Sequence, residues 1–519
     1  MIDQSETIPN SNSSKNLDAD GNPIYPSTYE FEEIMLIKRV GGGNIIQKSI
    51  IHLVTSFNIV EELFSPLLTG KISIRDNENF FEKFGLDGQE IINVKIKYLK
   101  DTSSNSYETL QHQFVVKDYP QFSKTGESIN VQEYEMTLVS SYAYLSRLQQ
   151  ISFGVNTGFN TPIETIRDIF KVYLGNPKFD YPATPEFGPA NGRPCVVNKF
   201  KAVITLRTPL QAIEWLRSNC YDTENSPFFI YTTLQDNSII AKSWADIITD
   251  TNPAYYPLGG DDPYSIKPFG EAEPGTPEYL KELKTKIINL NSNIKLDKLS
   301  QAVAGGIGTA IEVINLENRS YLEERVQPGG ENQRESLGGG NFYTRDKVTF
   351  NGDVATVEMF GLPNVGSTFT YLKDEEFGFD YLRELKINGK RPEIVNSILE
   401  NPRASQELCY LPVSPYGSDY RGSAAVKLEF LKDSKLYKAN MEAETHNIST
   451  YGDPNLKAGT KIEIAIPKAV DTSKEDPGKD DRLSGLYIIA VSVHTFQGGV
   501  YTNQLKIIRD GGISQPAGS

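Results

Sequence analysis

Residues 88–96 read Gly-Gln-Glu-Ile-Ile-Asn-Val-Lys-Ile, and their alternation decides the fold class. Ile92, Val94 and Ile96 fall on one face and polar residues on the other, the period of two that a half-buried strand requires. Working outward, 67–74 alternates in the same way through Leu68, Gly70, Ile72 and Ile74, and 45–57 is rich in β-formers. Segments 114–119 and 131–139 add two more strands, so residues 28–150 read as an antiparallel β domain.

The texture returns near the other end. Leu456-Lys457-Ala458-Gly459 leads into Ile462, Ile464 and Ile466, followed by Phe496 and then by Tyr501 and Leu505. In the first unit the corresponding features are Leu86-Asp87-Gly88, the Ile92/Val94/Ile96 strand, Phe122, and Tyr134 and Leu138. The glycine-to-isoleucine distance differs by one residue between the two. This reads as an approximate internal duplication, with copies around 45–140 and 434–510.

Between the copies the period changes. Thr161-Pro162-Ile163-Glu164 opens a helix with Thr as N-cap, Pro in the first turn and Glu three positions after the cap. Ile163, Ile166, Ile169 and Phe170 form its apolar stripe. Thr208-Pro209 opens a second helix, buried through Leu210, Ile213, Trp215 and Leu216. Segments 228–234 and 238–242 flank Gln235-Asp236-Asn237, a hairpin signal. From 246 to 345 the chain loosens: Gly and Pro cluster at 253–275, a helix is expected over 277–290, and Pro328-Gly329-Gly330 and Gly338-Gly339-Gly340 mark further loops. Beyond it, β segments at 347–360, 427–430, 461–466, 486–495 and 500–508 surround a helical stretch near 379–399.

The expected fold class is mainly β with α+β parts. Its divisions are a flexible arm at 1–27, a β domain at 28–150, an α+β domain at 151–245, a Gly/Pro-rich insertion with a helix at 246–345, and a second β domain at 346–519 with a helical insert near 361–430. The arm is dominated by Ser, Asn, Asp and Pro, and offers too little apolar surface to offset its ordering entropy.

Composition narrows the function classes. Lys and Arg number 52 against 67 Asp and Glu, a net charge of −15, whereas nucleic-acid binding needs a basic surface that displaces counterions from phosphates. An acidic surface instead lets DNA slide past without sticking. Cys195, Cys220 and Cys409 are odd in number and far apart, so neither a disulfide framework nor a zinc site is expected, and a reducing compartment is. Residues 1–16 have neither the basic start nor the apolar core of a signal peptide, and no apolar run approaches the roughly 20 residues that span a bilayer.

At Ser65-Pro66-Leu67-Leu68-Thr69-Gly70-Lys71-Ile72-Ser73-Ile74-Arg75-Asp76 and Leu86-Asp87-Gly88-Gln89-Glu90 the chain resembles central baseplate hub proteins of T4-like, contractile-tailed phages. Pro227-Phe228-Phe229-Ile230-Tyr231 through Asp236, with Ser243-Trp244, looks like the second-domain hairpin of that family. Leu483-Ser484-Gly485-Leu486-Tyr487-Ile488-Ile489, His494-Thr495-Phe496, Tyr501, Leu505 and Arg509-Asp510-Gly511 are similar to its closing hairpin. The resemblance covers the first 245 residues and about the last 90; the arm and the middle insertions depart from it. It implies two tube-like β domains per chain and a homotrimer forming a pseudo-sixfold ring. Such a ring seats a hexameric tail tube on one side and a trimeric central spike on the other, among other baseplate proteins. DNA passes through its channel without specific binding. A closed ring of six similar positions built from three chains requires two similar domains per chain, which gives the duplication physical weight. The corresponding location is the virion tail baseplate, with assembly in the host cytoplasm.

Residues that carry chemistry are sparse. His52, His112, His446 and His494 show no metal-ligand spacing and read as strand-facing or surface side chains. Nothing supports a Cys-His hydrolase on Cys220. The acidic pairs Glu61-Glu62, Asp261-Asp262 and Asp480-Asp481, and the run 374–376, read as solvated loop charge, because glycosidase carboxylates are defined by separation across a cleft. Segment 302–311, Ala-Val-Ala-Gly-Gly-Ile-Gly-Thr-Ala-Ile, is too short to span a membrane and lacks a phosphate-loop ending, so it reads as buried packing or a partner contact. The triplet 41–43 is a turn or hinge. No catalytic, cofactor-binding or metal-binding residue is expected, and the chain reads as a non-enzyme. The alternatives are a tail-associated cell-wall hydrolase, which would clear peptidoglycan, and a tail-tip host-surface binding module, which would bind glycan or receptor.

Overall fold

The computed structural model describes residues 29–509 with interruptions, the longest at 181–200, 250–262, 267–281, 295–308, 327–347, 356–404, 412–443 and 468–479. The chain is mostly β, with few helices, and its centre is one large, almost wholly antiparallel sheet.

The first unit comprises β1 (Tyr29–Arg39), β2 (Ile45–Ser49), β3 (Val54–Glu62), β4 (Thr69–Asp76), β5 (Ile91–Asp101), β6 (Ser106–Val116), β7 (Gln121–Ser123) and β8 (Gln132–Ser140), with the short helix α1 (Phe80–Phe84) after β4. Ile92, Val94 and Ile96 of β5 are 0–1% exposed, so the alternation read from 88–96 marks the core face. Ile34, Leu36, Phe57, Ile72, Phe114 and Met136 complete that core with the same period.

Helix α2 (Ser141–Arg147) leads into the α+β part: β9 (Ile151–Asn156), α3 (Pro162–Tyr173), β10 (Phe179–Asp180), β11 (Lys201–Arg207), α4 (Pro209–Arg217), β12 (Phe228–Thr232), β13 (Ile239–Ser243) and α5 (Trp244–Thr249). The helix starts fall at Pro162 and Pro209. At α4 the Thr208 side chain accepts from the Gln211 N–H while the Gln211 side chain accepts from the Thr208 N–H, a complete capping box. β12 and β13 form the hairpin expected around 235–237.

The remaining strands are β14 (Tyr264–Ser265), β15 (Ile287–Ile294), β16 (Thr309–Asn315), β17 (Ser320–Val326), β18 (Val348–Phe350), β19 (Asp353–Ala355), β20 (Ser405–Leu411), β21 (Glu444–Tyr451), β22 (Lys461–Ala465), β23 (Gly485–Gln497) and β24 (Val500–Arg509). Three readings change here. Of the helix expected over 277–290, the described residues are helical only at 282–285, and Ile287–Ile294 form β15. Ile287 and Ile288 are β-branched, pairing with β21 fixes the strand, and Lys284, 4% exposed, anchors the turn against Asp453 at 3.9 Å. Segment 246–345 is therefore more than an insertion, because it supplies β14 and β15 to the second β unit. Within 361–430, residues 405–411 form β20, parallel to β16, so the described part of that insert is strand. From 302–311, residues 309–311 begin β16. The arm at 1–27, the helical stretch at 379–399, the β segment at 427–430 and the glycine triplets lie outside the described residues.

The duplication holds strand by strand. The first unit runs β3-β4-β8-β6-β5 and the second β15-β21-β24-β23-β22. In the first, Ile92 faces Phe114, Val115 faces Val139, Leu138 faces Gly70, and Gly70 faces Ile59. In the second, Ile462 faces Tyr487, Ile488 faces Ile508, Ile507 faces His446, and His446 faces Ser292. Matching Ile92 to Ile462 thus carries through four ladders without a slip. The equivalence of Tyr134 and Leu138 with Tyr501 and Leu505 is displaced by two residues: Leu138 corresponds to Ile507 and Tyr134 to Asn503. An even displacement keeps every side chain on the same face, so the sequence pattern could not detect it.

Beyond β5 and β22 the copies have different neighbours, β1 antiparallel and β14 parallel, and within the five strands they differ at the following place. β23 follows β24 along its length with one register shift between Ile489 and Val491, whereas in the first unit β6 leaves β8 after Val116 and β7 takes over, with Phe122 opposite Tyr134. The far half of β23 pairs with β3, from Val491 opposite Glu62 to Gln497 opposite Ser56. This seam fuses the two units into one sheet. Phe57 and Phe496 stack across it at 6.4 Å, and each fully buried aromatic there contributes about 1.5–3 kcal/mol through burial.

Candidate functional site: the seam between the two β units

Period-two alternation places Phe57, Ile59 and Glu61 of β3 on the core face, opposite Phe496, His494 and Ser492 of β23. Glu61 is therefore no solvated loop charge: it is 0% exposed, on the ladder that joins the two units. Its Oε2 accepts the Ala458 N–H at 2.9 Å, its Oε1 accepts the Leu234 N–H, and the same Oε1 lies 3.2 Å from His494 Nε2. One carboxylate thus ties β3 to β23, to the loop before β22 and to the turn after β12. Buried ions persist only when satisfied in this way.

The rest of the network fixes the imidazole. Tyr501 Oη is 2.7 Å from His494 Nδ1, and Asn503 Nδ2 is 3.1 Å from the same nitrogen. Burial, reinforced by the Asp453 and Glu61 carboxylates, raises the Tyr501 phenol well above its ordinary range, so it keeps its proton. A carboxylate only accepts, so Nε2–H points to Glu61 and Nδ1 accepts from the Tyr501 hydroxyl. Asn503 also donates to Ser492 Oγ at 3.2 Å and accepts the Asp453 N–H at 2.6 Å.

Ser492, His494 and Glu61 have the residue types of a hydrolytic triad but not its geometry. Ser492 Oγ and Glu61 Oε1 both approach Nε2, at 3.3 and 3.2 Å, whereas a triad sets nucleophile and acid on opposite ring nitrogens. All three are 0% exposed. The arrangement is a structural clamp. Sequence reading missed it; the available signal was a Glu in phase with Phe57 and Ile59, matched by a Ser-x-His on a strand of like period.

The other flagged residues stay apart. His52 is exposed, in a turn at Ile51–Leu53. His446 is buried, with Nε2 3.3 Å from Tyr487 Oη. Cys220 is buried and reduced. Asp480 organises a loop, accepting the Leu483 N–H at 3.0 Å. Among the described residues no group of three or more His, Cys, Asp or Glu is placed to hold a metal, and no helix is long and apolar enough to cross a membrane.

His112 is 7% exposed, and its Nε2 donates to the Leu234 carbonyl at 2.6 Å, next to the clamp. Burial lowers its pKa below 6.5, outweighing that hydrogen bond. The unfolded chain therefore binds this proton more readily, so the contribution is complete above the ordinary histidine pKa and declines as pH falls below it. Between pH 7 and pH 5 the wild-type protein should lose stability faster than His112→Gln, which keeps an N–H donor. Parallel pH profiles from urea unfolding would contradict this.

The opposite face of the sheet is polar. Asn58, Gln113, Ser449, Thr495, Thr502 and Gln504 are uncharged, and the charges include ion pairs such as Lys71–Glu135 at 2.6 Å and Lys95–Glu33 at 2.9 Å. The acidic character of the chain as a whole is not concentrated there.

No family model matches the chain, and no curated protein matches it. Among solved structures it is similar to the tail protein from Neisseria meningitidis MC58, at 10% identity over 94% of this chain and 98% of that one, with a TM-score of 0.43. It is also similar to the 43 kDa tail protein of prophage MuSo2 from Shewanella oneidensis, at 10% identity over 93% and 100% of the two chains, with a TM-score of 0.41. A third likeness is to the E. coli c3393 protein, a type VI secretion component described as similar to T4 tail proteins gp27 and gp5, at 10% identity over 89% and 76%, with a TM-score of 0.34.

Proposed function

We propose that this chain is a structural, non-catalytic subunit of a phage tail baseplate, the hub between tail tube and central spike. The observation that carries the reading is the duplication: two five-strand units of one topology and one register, fused edge to edge through β3 and β23. Three such chains supply six like units, which is what a threefold object needs to match a sixfold one. The ring seats the hexameric tube on one side, presents threefold symmetry to the spike on the other, and contacts further baseplate proteins at its rim. Its location is the virion tail, after assembly in the host cytoplasm.

The neutral polar face of the sheet suits a channel lining. Hydroxyls and amides, with lysines paired to glutamates at Lys71–Glu135 and Lys95–Glu33, limit the counterion release that would hold passing DNA there. The clamp supports the non-catalytic reading, since its serine, histidine and glutamate serve cohesion.

Light scattering on the purified protein tests the reading. The expected mass is about three times the 57.9 kDa of one chain, and averaged images should show six lobes around a hole. A stable twofold dimer would remove the basis for the adaptor role.

A further inference from the structure

We infer that β15 of one copy pairs with β7 of a second copy, antiparallel, with Asn291 opposite Ser123 and Ser292 opposite Phe122. The inference rests on the ring reading above and specifies how its subunits join.

The strand-by-strand equivalence leads to this junction. β15 is the counterpart of β3, since Ser292 corresponds to Ile59 and Asn291 to Asn58. β7 is the counterpart of the far half of β23, since Phe122 faces Tyr134 as His494 faces Asn503. Within the chain, β3 pairs with β23, with Asn58 opposite Thr495 and Ile59 opposite His494. The same junction between counterparts would join β15 to β7. Among the described residues, β7 pairs only with β8, and residues 289–294 of β15 pair only with β21.

Among the described residues both therefore present one open edge, and an open edge is a template for another strand. β15 has few of the devices that discourage pairing: residues 287–294 contain neither Lys nor Pro, and Ile288 is 46% exposed. The occupant is a second copy, because β3 is already held by β23 and β7 is the remaining counterpart of that edge. Such a contact is head-to-tail, and repeated with a rotation of a third of a turn it closes a ring of three.

The two seams differ in chemistry. At the positions of Glu61 and His494 the new junction carries Ile294 and Phe122. The internal seam is locked by a buried polar clamp, and the external one carries apolar residue types at those two positions.

Directly opposed strand residues have Cα atoms about 4.5–5.5 Å apart, within disulfide reach. The test is the full chain carrying Ser123→Cys and Asn291→Cys. Oxidation should move most of it from the monomer band to a covalent trimer on a non-reducing gel. Each single variant should stay monomeric there, as should a pair of Ser123→Cys with Ile288→Cys, which lies about 10 Å out of register. Light scattering before oxidation separates the two ideas. A trimer that links no better than the Ile288→Cys pair overturns this junction and leaves the ring. A protein that neither links nor forms a trimer overturns both.

Discussion

Glu61→Ala is expected to cost about 3–5 kcal/mol of stability, the range found when one member of a buried, hydrogen-bonded ion network is removed. Three donors lose their acceptor together: the Ala458 N–H, the Leu234 N–H and His494 Nε2. Each is sealed from water, so each retains its desolvation penalty with nothing to offset it. Glu61→Gln should cost less, because its carbonyl still accepts one N–H, but its amide group sets a donor against another. Trp244 reports the change, being 0% exposed and packed in the cluster that holds Ala458 and Leu63. Urea unfolding followed by its fluorescence should rank the variants wild type, Gln, Ala. An alanine variant within 1 kcal/mol of wild type would mean that the clamp is incidental.

That clamp shows where sequence reading stops. Ile92, Val94 and Ile96 were legible because burial and period coincide on one strand, and the same holds for Ile462, Ile464 and Ile466. The helix start at Thr208-Pro209 was legible because a cap is a local interaction. Glu61 was not: a carboxylate beside Glu62 looks like solvated charge until the strand opposite is known to carry Ser492 and His494, more than 400 residues away. β15 was missed for a related reason. Its identity as a strand comes from β21 and from the Lys284–Asp453 pair, and Glu-rich chain just before it favours a helix. The two-residue slip in the repeat is a third case, since alternation fixes the face of a strand and leaves its register to the partner. The fold class and the duplication were legible because both rest on faces. The clamp and the open edges were not, because both rest on pairings.

Gly452→Ala should be nearly as damaging as loss of Glu61, through steric overlap where Glu61→Ala leaves donors unsatisfied. A Cβ at Gly452 would overlap Cγ, Cδ1 and Cδ2 of Tyr501, closer than real side chains approach. Neither side can yield. The Gly452 N–H donates to the Tyr501 carbonyl at 2.8 Å, which fixes the two backbones together. The Tyr501 ring is stacked on Phe496 at 4.5 Å and its hydroxyl is held by His494, so moving it dismantles the network around Glu61. Overpacking a rigid core typically costs about 1–3 kcal/mol, and coupling to the clamp puts this position at or above the top of that range. A double-mutant cycle isolates the cause. Tyr501→Leu is destabilising alone, but it removes the ring that the added methyl group would strike. Gly452→Ala should therefore cost at least 1 kcal/mol less in the Tyr501→Leu background than in the wild type, a coupling well beyond the roughly 0.3–0.5 kcal/mol scatter of independent sites. Additive costs in that cycle would show that Gly452 is needed for its backbone alone, and that the ring of Tyr501 has room to move.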